Sequence, residues 1–128
     1  MKRFPTSRKG ISSLHYLCLK SEIPEGHSKV FLISVQDLKQ DVAVFNIGGN
    51  FHAISNVCAH KGGPLSQGIL EKTIVTCPWH GWKYDVRNGK PPHEGGDSVN
   101  SFKINVVRNK LYLDDDCISC YQLRGTNT

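Results

Sequence analysis

Apolar and polar positions alternate with a period of two over several short stretches, the spacing of half-buried strands. Phe102, Ile104 and Val106 alternate with Lys103, Asn105 and Val107, and a short turn at Asn109 leads into Leu111-Tyr-Leu113. This pattern predicts a hairpin. A second hairpin is predicted at Asp41-Val-Ala-Val-Phe-Asn-Ile47, Gly48-Gly49 and Asn50-Phe-His-Ala-Ile-Ser55, where the paired glycines supply the positive φ angles of a two-residue turn. Lys83-Tyr-Asp-Val86 is followed by a further turn signal, Asn88-Gly89, and strands are expected at 14 to 19, 29 to 35 and 73 to 77. No long helical period or internal repeat is present. Short strands with regular turns predict an all-β fold, an antiparallel sandwich or barrel. Residues 1 to 12 and 117 to 128 lack periodicity and are expected to fray.

Composition narrows the function. The 128 residues, 38% of them hydrophobic, suit one core and leave no room for a second catalytic domain. No run approaches the roughly 20 apolar residues of a bilayer span, and Met1-Lys-Arg-Phe-Pro lacks the apolar block of a signal peptide. A soluble, cytoplasmic protein without a membrane partner is expected. Five cysteines are an odd number, which favours a reduced compartment over a disulfide framework. The net charge of +5 suggests nucleic acid until it is located: Lys2, Arg3, Arg8 and Lys9 supply +4 of it in a basic N-terminal tail. Without basic residues alternating with aromatics, or a helix-turn-helix pattern, no nucleic-acid partner is expected.

Nine of the twelve glycines lie between Gly48 and Gly96, marking a loop-rich middle. It contains Cys58-Ala-His60-Lys-Gly-Gly-Pro64 and, after sixteen residues intervening between His60 and Cys77, Cys77-Pro-Trp-His80-Gly-Trp82. Each segment offers one thiol and one imidazole, a set suited to zinc, copper or an iron-sulfur centre rather than magnesium or calcium. A tetrahedral zinc site is one reading, although zinc-finger spacing usually pairs cysteines in one half and histidines in the other. Unrelated buried cysteines and surface histidines are another. The Cys-x-His, sixteen-residue gap, Cys-x-x-His arrangement resembles the Rieske motif, and the likeness continues through Cys77-Pro-Trp-His-Gly-Trp-Lys-Tyr-Asp85 and the closing hairpin. The resemblance implies a Rieske-like β sandwich or barrel whose two loops, about 56–68 and 77–85, hold one 2Fe-2S cluster per chain. It assigns Cys58 and Cys77 to the inner iron, and His60 and His80 to the outer iron near the surface.

The Rieske proteins of respiratory complexes carry an extra cysteine in each loop, and the two form a disulfide. Gly63 and Trp79 occupy those positions here, so that bond is impossible. Trp82 stands where those high-potential relatives have a serine that hydrogen-bonds a cluster sulfide. Losing such a bond destabilises the added electron, so a low potential, roughly −150 mV, is expected. Tyr84 matches a position from which relatives can hydrogen-bond a ligand sulfur.

The other chemistry-bearing residues read as ordinary. Cys18 is expected in the core, Cys117-Ile-Ser-Cys120 as a tail pair, and His15, His27, His52 and His93 as surface or strand histidines. Trp79 and Trp82 are expected to pack around the cluster loops. A terminal oxygenase would need a mononuclear iron with two further histidines and a carboxylate in a second domain. The resemblance therefore implies a ferredoxin-like electron carrier, not an enzyme, with a flavin-dependent NAD(P)H reductase as donor and a terminal oxygenase or other redox enzyme as acceptor. It is expected to be a monomer when free, with the domain at 13–114 between a tail at 1–12 and another at 115–128. The alternatives are a small Rieske subunit of a larger oxidoreductase, such as a nitrite reductase, and a structural zinc-binding module. Lys61, Lys83 and Lys90 could steer the loops toward an acidic partner.

Overall fold

A computed structural model describes residues 14–35, 38–59, 63–79, 81–93 and 96–114. Its strands are β1 (Leu14–Leu19), β2 (Ser28–Val35), β3 (Leu38–Ile47), β4 (Asn50–Ser55), β5 (Ile69–Glu71), β6 (Ile74–Thr76), β7 (Lys83–Asp85), β8 (Ser101–Phe102), β9 (Ile104–Val107) and β10 (Lys110–Asp114). They form three antiparallel sheets in the orders β1-β10-β9, β2-β3-β4-β8 and β5-β6-β7. Short 3-10 turns at Lys20–Glu22 and Leu65–Gln67 are the helical elements among the described residues.

The β3–β4 hairpin forms as its sequence predicts, pairing Ile47 with Asn50 across Gly48 and Gly49, whose φ angles are 61° and 92°. The hairpin predicted at 102 to 113 also forms, with Lys110 opposite Val107 and the positive φ falling on Arg108. Its first strand differs from the expectation. The single strand expected over 102 to 107 is broken at Lys103, so β8 joins β4 whereas β9 joins β10. The Lys103 carbonyl accepts a hydrogen bond from the Asp114 backbone N–H at 3.1 Å, and the chain changes sheets there. Asn88-Gly89 makes its turn, with both amides donating to the Asp85 carbonyl, but among the described residues no strand returns from it along β7.

Residues Val42 to Asn46 of β3 are all buried, because both faces of the central sheet are covered. On one face Val42, Val44, Ala53 and Phe102 pack with Cys18, Leu111 and Leu113 of the first sheet. On the other, Ala43, Phe45 and Ile54 pack with Leu65, Val75, Tyr84 and Val86 and with the thiols Cys58 and Cys77. The central sheet is thus a floor beneath a small upper unit, which comprises the third sheet and the two loops.

Candidate metal centre

Cys58 lies just beyond β4, and Cys77 just beyond β6. Each loop is closed by its own backbone. The Cys58 N–H donates to the Gly63 carbonyl at 2.8 Å, the Cys77 N–H to the Trp82 carbonyl at 2.7 Å, and the Gly81 N–H to the Cys77 carbonyl at 3.0 Å. Both cysteines are buried, at 2% and 1% exposure, in the same core, so two soft ligands enter one apolar environment from two loops.

Tyr84, opposite Val75 in the β6–β7 ladder and fully buried, connects the third sheet to the first loop. Its hydroxyl lies 3.2 Å from Cys58 Sγ and accepts the Ala59 N–H at 3.3 Å. Burial, reinforced by the hydrogen bond with Cys58, raises the phenol far above its ordinary range, so it remains protonated. Against a Cys58 thiolate, only the phenol can donate, and that bond stabilises negative charge on the sulfur.

Asn56 fastens the first loop to the floor. Its carbonyl accepts the Leu65 N–H at 2.7 Å, its Oδ1 accepts the Ser66 N–H at 2.8 Å, and its Nδ2 donates to Asp41 Oδ2 at 3.3 Å. At 6% exposure this is a buried, satisfied amide bridging Leu65 and Ser66 to Asp41. Sequence reasoning missed it, because an Asn after a strand resembles any turn residue. At the end of β7, Asp85 Oδ2 accepts Arg87 Nη2 at 2.7 Å, while Oδ1 accepts the Arg87 backbone N–H at 2.9 Å. Hydrogen bonds from the Arg87 side chain hold Asp85 below the usual carboxylate range. His52, which faces the upper unit beside Phe45, is pushed below its ordinary value by burial and then by the Arg87 charge.

The predicted ligands are therefore brought together in part. Cys58 and Cys77 share the buried centre, whereas His60, His80 and Lys61 lie outside the described residues. His15, His27, His52 and His93 do not complete it: among the described residues no three metal-binding side chains gather. Cys18 is a core thiol whose pKa burial raises, and it belongs to the other core. Trp82 packs against the upper core, as expected, and Trp79 lies against Gly63. Cys117 and Cys120 are outside the described residues. Two buried thiols with a protonated phenol aimed at one of them fit a thiolate-bound metal centre.

A family model described as "Rieske [2Fe-2S] domain" matches residues 13–103. The chain is 29% identical over 101 residues to the 3-phenylpropionate/cinnamic acid dioxygenase ferredoxin subunit of Escherichia coli (strain K12), covering 77% of this chain and 91% of that one. It is 36% identical over 66 residues to human apoptosis-inducing factor 3, covering 51% of this chain but spanning only 11% of that protein. Among solved structures, the ferredoxin of carbazole 1,9a-dioxygenase from Nocardioides aromaticivorans IC177 superposes with a TM-score of 0.71 at 24% identity, covering 80% of this chain and 98% of that one. A structure of reduced oxygenase with oxidised ferredoxin from carbazole 1,9a-dioxygenase matches with a TM-score of 0.68 at 25% identity, over 77% and 98% of the two chains. No helix among the described residues is long and apolar enough to cross a membrane.

Proposed function

Since the chain belongs to the Rieske [2Fe-2S] domain family, we propose that it is a one-electron carrier rather than an enzyme, with Cys58, His60, Cys77 and His80 as its cluster ligands. The buried pair Cys58 and Cys77, with Tyr84 3.2 Å from one sulfur, is the observation that carries this reading. Cys58 and Cys77 would hold the inner iron, and His60 and His80 the outer one. Bound there, the cluster supplies reversible one-electron chemistry. The protein supplies a dry floor beneath the thiolates, a hydrogen bond to Cys58, and two loops tied at their bases. The functional unit is 13–114, with tails on either side, in a reducing compartment such as the cytoplasm.

A flavin-dependent NAD(P)H reductase is the proposed donor and a terminal oxygenase the proposed acceptor. The ferredoxin–oxygenase complex among the structural neighbours supports that choice of acceptor. Lys83 and Lys90 are exposed beside the loops and suit an acidic partner face, so electron transfer should slow as salt rises. Anaerobic reduction followed by low-temperature EPR tests the ligand set: mixed Cys/His ligation gives a lower average g than four cysteines. Two irons and two labile sulfides per chain are expected, and a colourless zinc protein overturns the reading.

A similar segment forms a small part of a longer protein, apoptosis-inducing factor 3, which leaves room for a second reading, a fixed relay as a small subunit of a larger oxidoreductase. Stable co-purification with a large redox subunit supports it, whereas a freely purified monomer supports the shuttle.

A further inference from the structure

Gly63 is where the two loops meet. Its carbonyl receives the Cys58 N–H, and its Cα faces the other loop. A Cβ placed on it would lie 2.8 Å from Cys77 Sγ and 2.9 and 3.0 Å from Trp79 Cγ and Cδ2. Only a hydrogen fits at that point, and so no water can reach the sulfur from this side. Trp79 is nevertheless 58% exposed, whereas Cys77 is 1% exposed. The indole therefore presents part of its surface to solvent while its ring edge rests on Gly63 directly beside the sulfur.

We propose that the Trp79–Gly63 contact is a non-covalent clasp that joins the two cluster loops and closes the solvent side of the Cys77 sulfur, making Trp79 a positioning residue for the redox centre. The inference rests on Cys77 being a ligand. Three consequences follow from elementary electrostatics and packing. Water admitted to a thiolate stabilises the more negative, reduced state, so opening the clasp raises the reduction potential. A loop released from its neighbour yields its metal sooner. A phenyl ring at 79 can still cover Gly63, whereas a methyl group cannot.

The test uses the loaded protein and compares Trp79→Ala, Trp79→Phe, Gly63→Ala and the Gly63→Ala/Trp79→Ala double variant. Reduction potential and the rate of iron loss to a chelator are the two readouts. Trp79→Ala should shift the one-electron equilibrium toward reduction by up to tenfold, 59 mV, and should lose iron several-fold faster. Trp79→Phe should remain near wild type. Gly63→Ala should move both quantities in the same direction, and by less when Trp79 is already alanine, because the two substitutions break one contact. If Trp79→Ala fails to load but Trp79→Phe loads, the clasp is supported. The proposal is overturned if Trp79→Ala keeps both wild-type values, or if Trp79→Phe is as impaired as Trp79→Ala. A wild-type protein without the low-average-g signal overturns the ligand assignment instead.

Discussion

The floor of the molecule and the unit above it are held together by different physics. The floor has long ladders, eight paired positions between β2 and β3 and six between β3 and β4, and its core with the first sheet is built from aliphatic and aromatic side chains around Cys18. The upper unit has strands of three residues each, too short to be stable alone. It depends instead on specific polar contacts, at Asn56, Tyr84 and Asp85, and on two thiols in its core. Rigidity in the floor comes from area, whereas in the upper unit it comes from ligands and hydrogen bonds. Metal binding should therefore be coupled to the folding of one region and not the other.

The largest test of that contrast removes the metal. Cys58→Ser, or chelation of the wild-type protein, should abolish the EPR signal. It should also erase amide protection in β5, β6 and β7 while β2, β3 and β10 retain theirs in hydrogen exchange. Simultaneous loss of protection everywhere would break the distinction. Next, Leu111→Ala, a fully buried position in the lower core, should cost about 2–5 kcal/mol in denaturant titration and leave the reduction potential unchanged.

Tyr84→Phe should do the reverse. Without the donor to Cys58, the reduced state loses about 1 kcal/mol, and the potential should fall by about 40 mV with a small change in unfolding midpoint. An unaltered potential would mean that the phenol does not donate to the sulfur. The smallest effect concerns acid. His52 and Asp85 both have folded pKa values below their unfolded ones. Each then contributes stability above its unfolded value, lost as pH falls through its folded value. Stability should decline first below about pH 6.5 through His52 and again below about pH 4 through Asp85. Because Arg87 is 58% exposed, the ion pair is worth about 1 kcal/mol or less. Asp85→Asn should shrink the lower step in denaturation midpoint against pH, to which Glu22 also contributes, and leave the upper one.

The same contrast decides what could be read from the sequence. The β3–β4 hairpin was legible because its apolar strands and Gly48-Gly49 agree, and the cysteines stood out through motif spacing. Ile69–Glu71 was too short to show a period, so of the third sheet β6 and β7 were legible, at 73 to 77 and 83 to 86, and β5 was not. Alternation runs unbroken through Lys103, because a period of two reports the face of a strand but not which neighbour it pairs with. Asn56 was invisible for a related reason. Its role is defined by Ser66 and Asp41, residues distant in sequence, and no local pattern encodes such an encounter. Gly63 stood out only through the resemblance that paired its position with that of Trp79.

The β1–β10 ladder, which pairs Leu14 with Asp114, has a consequence in time. The first sheet cannot close until the last strand has left the ribosome, long after both cysteine loops have emerged. Such non-local pairing places the chain among slow-folding, high-contact-order topologies, with closure on the scale of milliseconds to seconds. Throughout that interval Cys18, which later lies at 2% exposure between the first and central sheets, lacks its cover. Burial shields that thiol only once the two ends of the described chain have met.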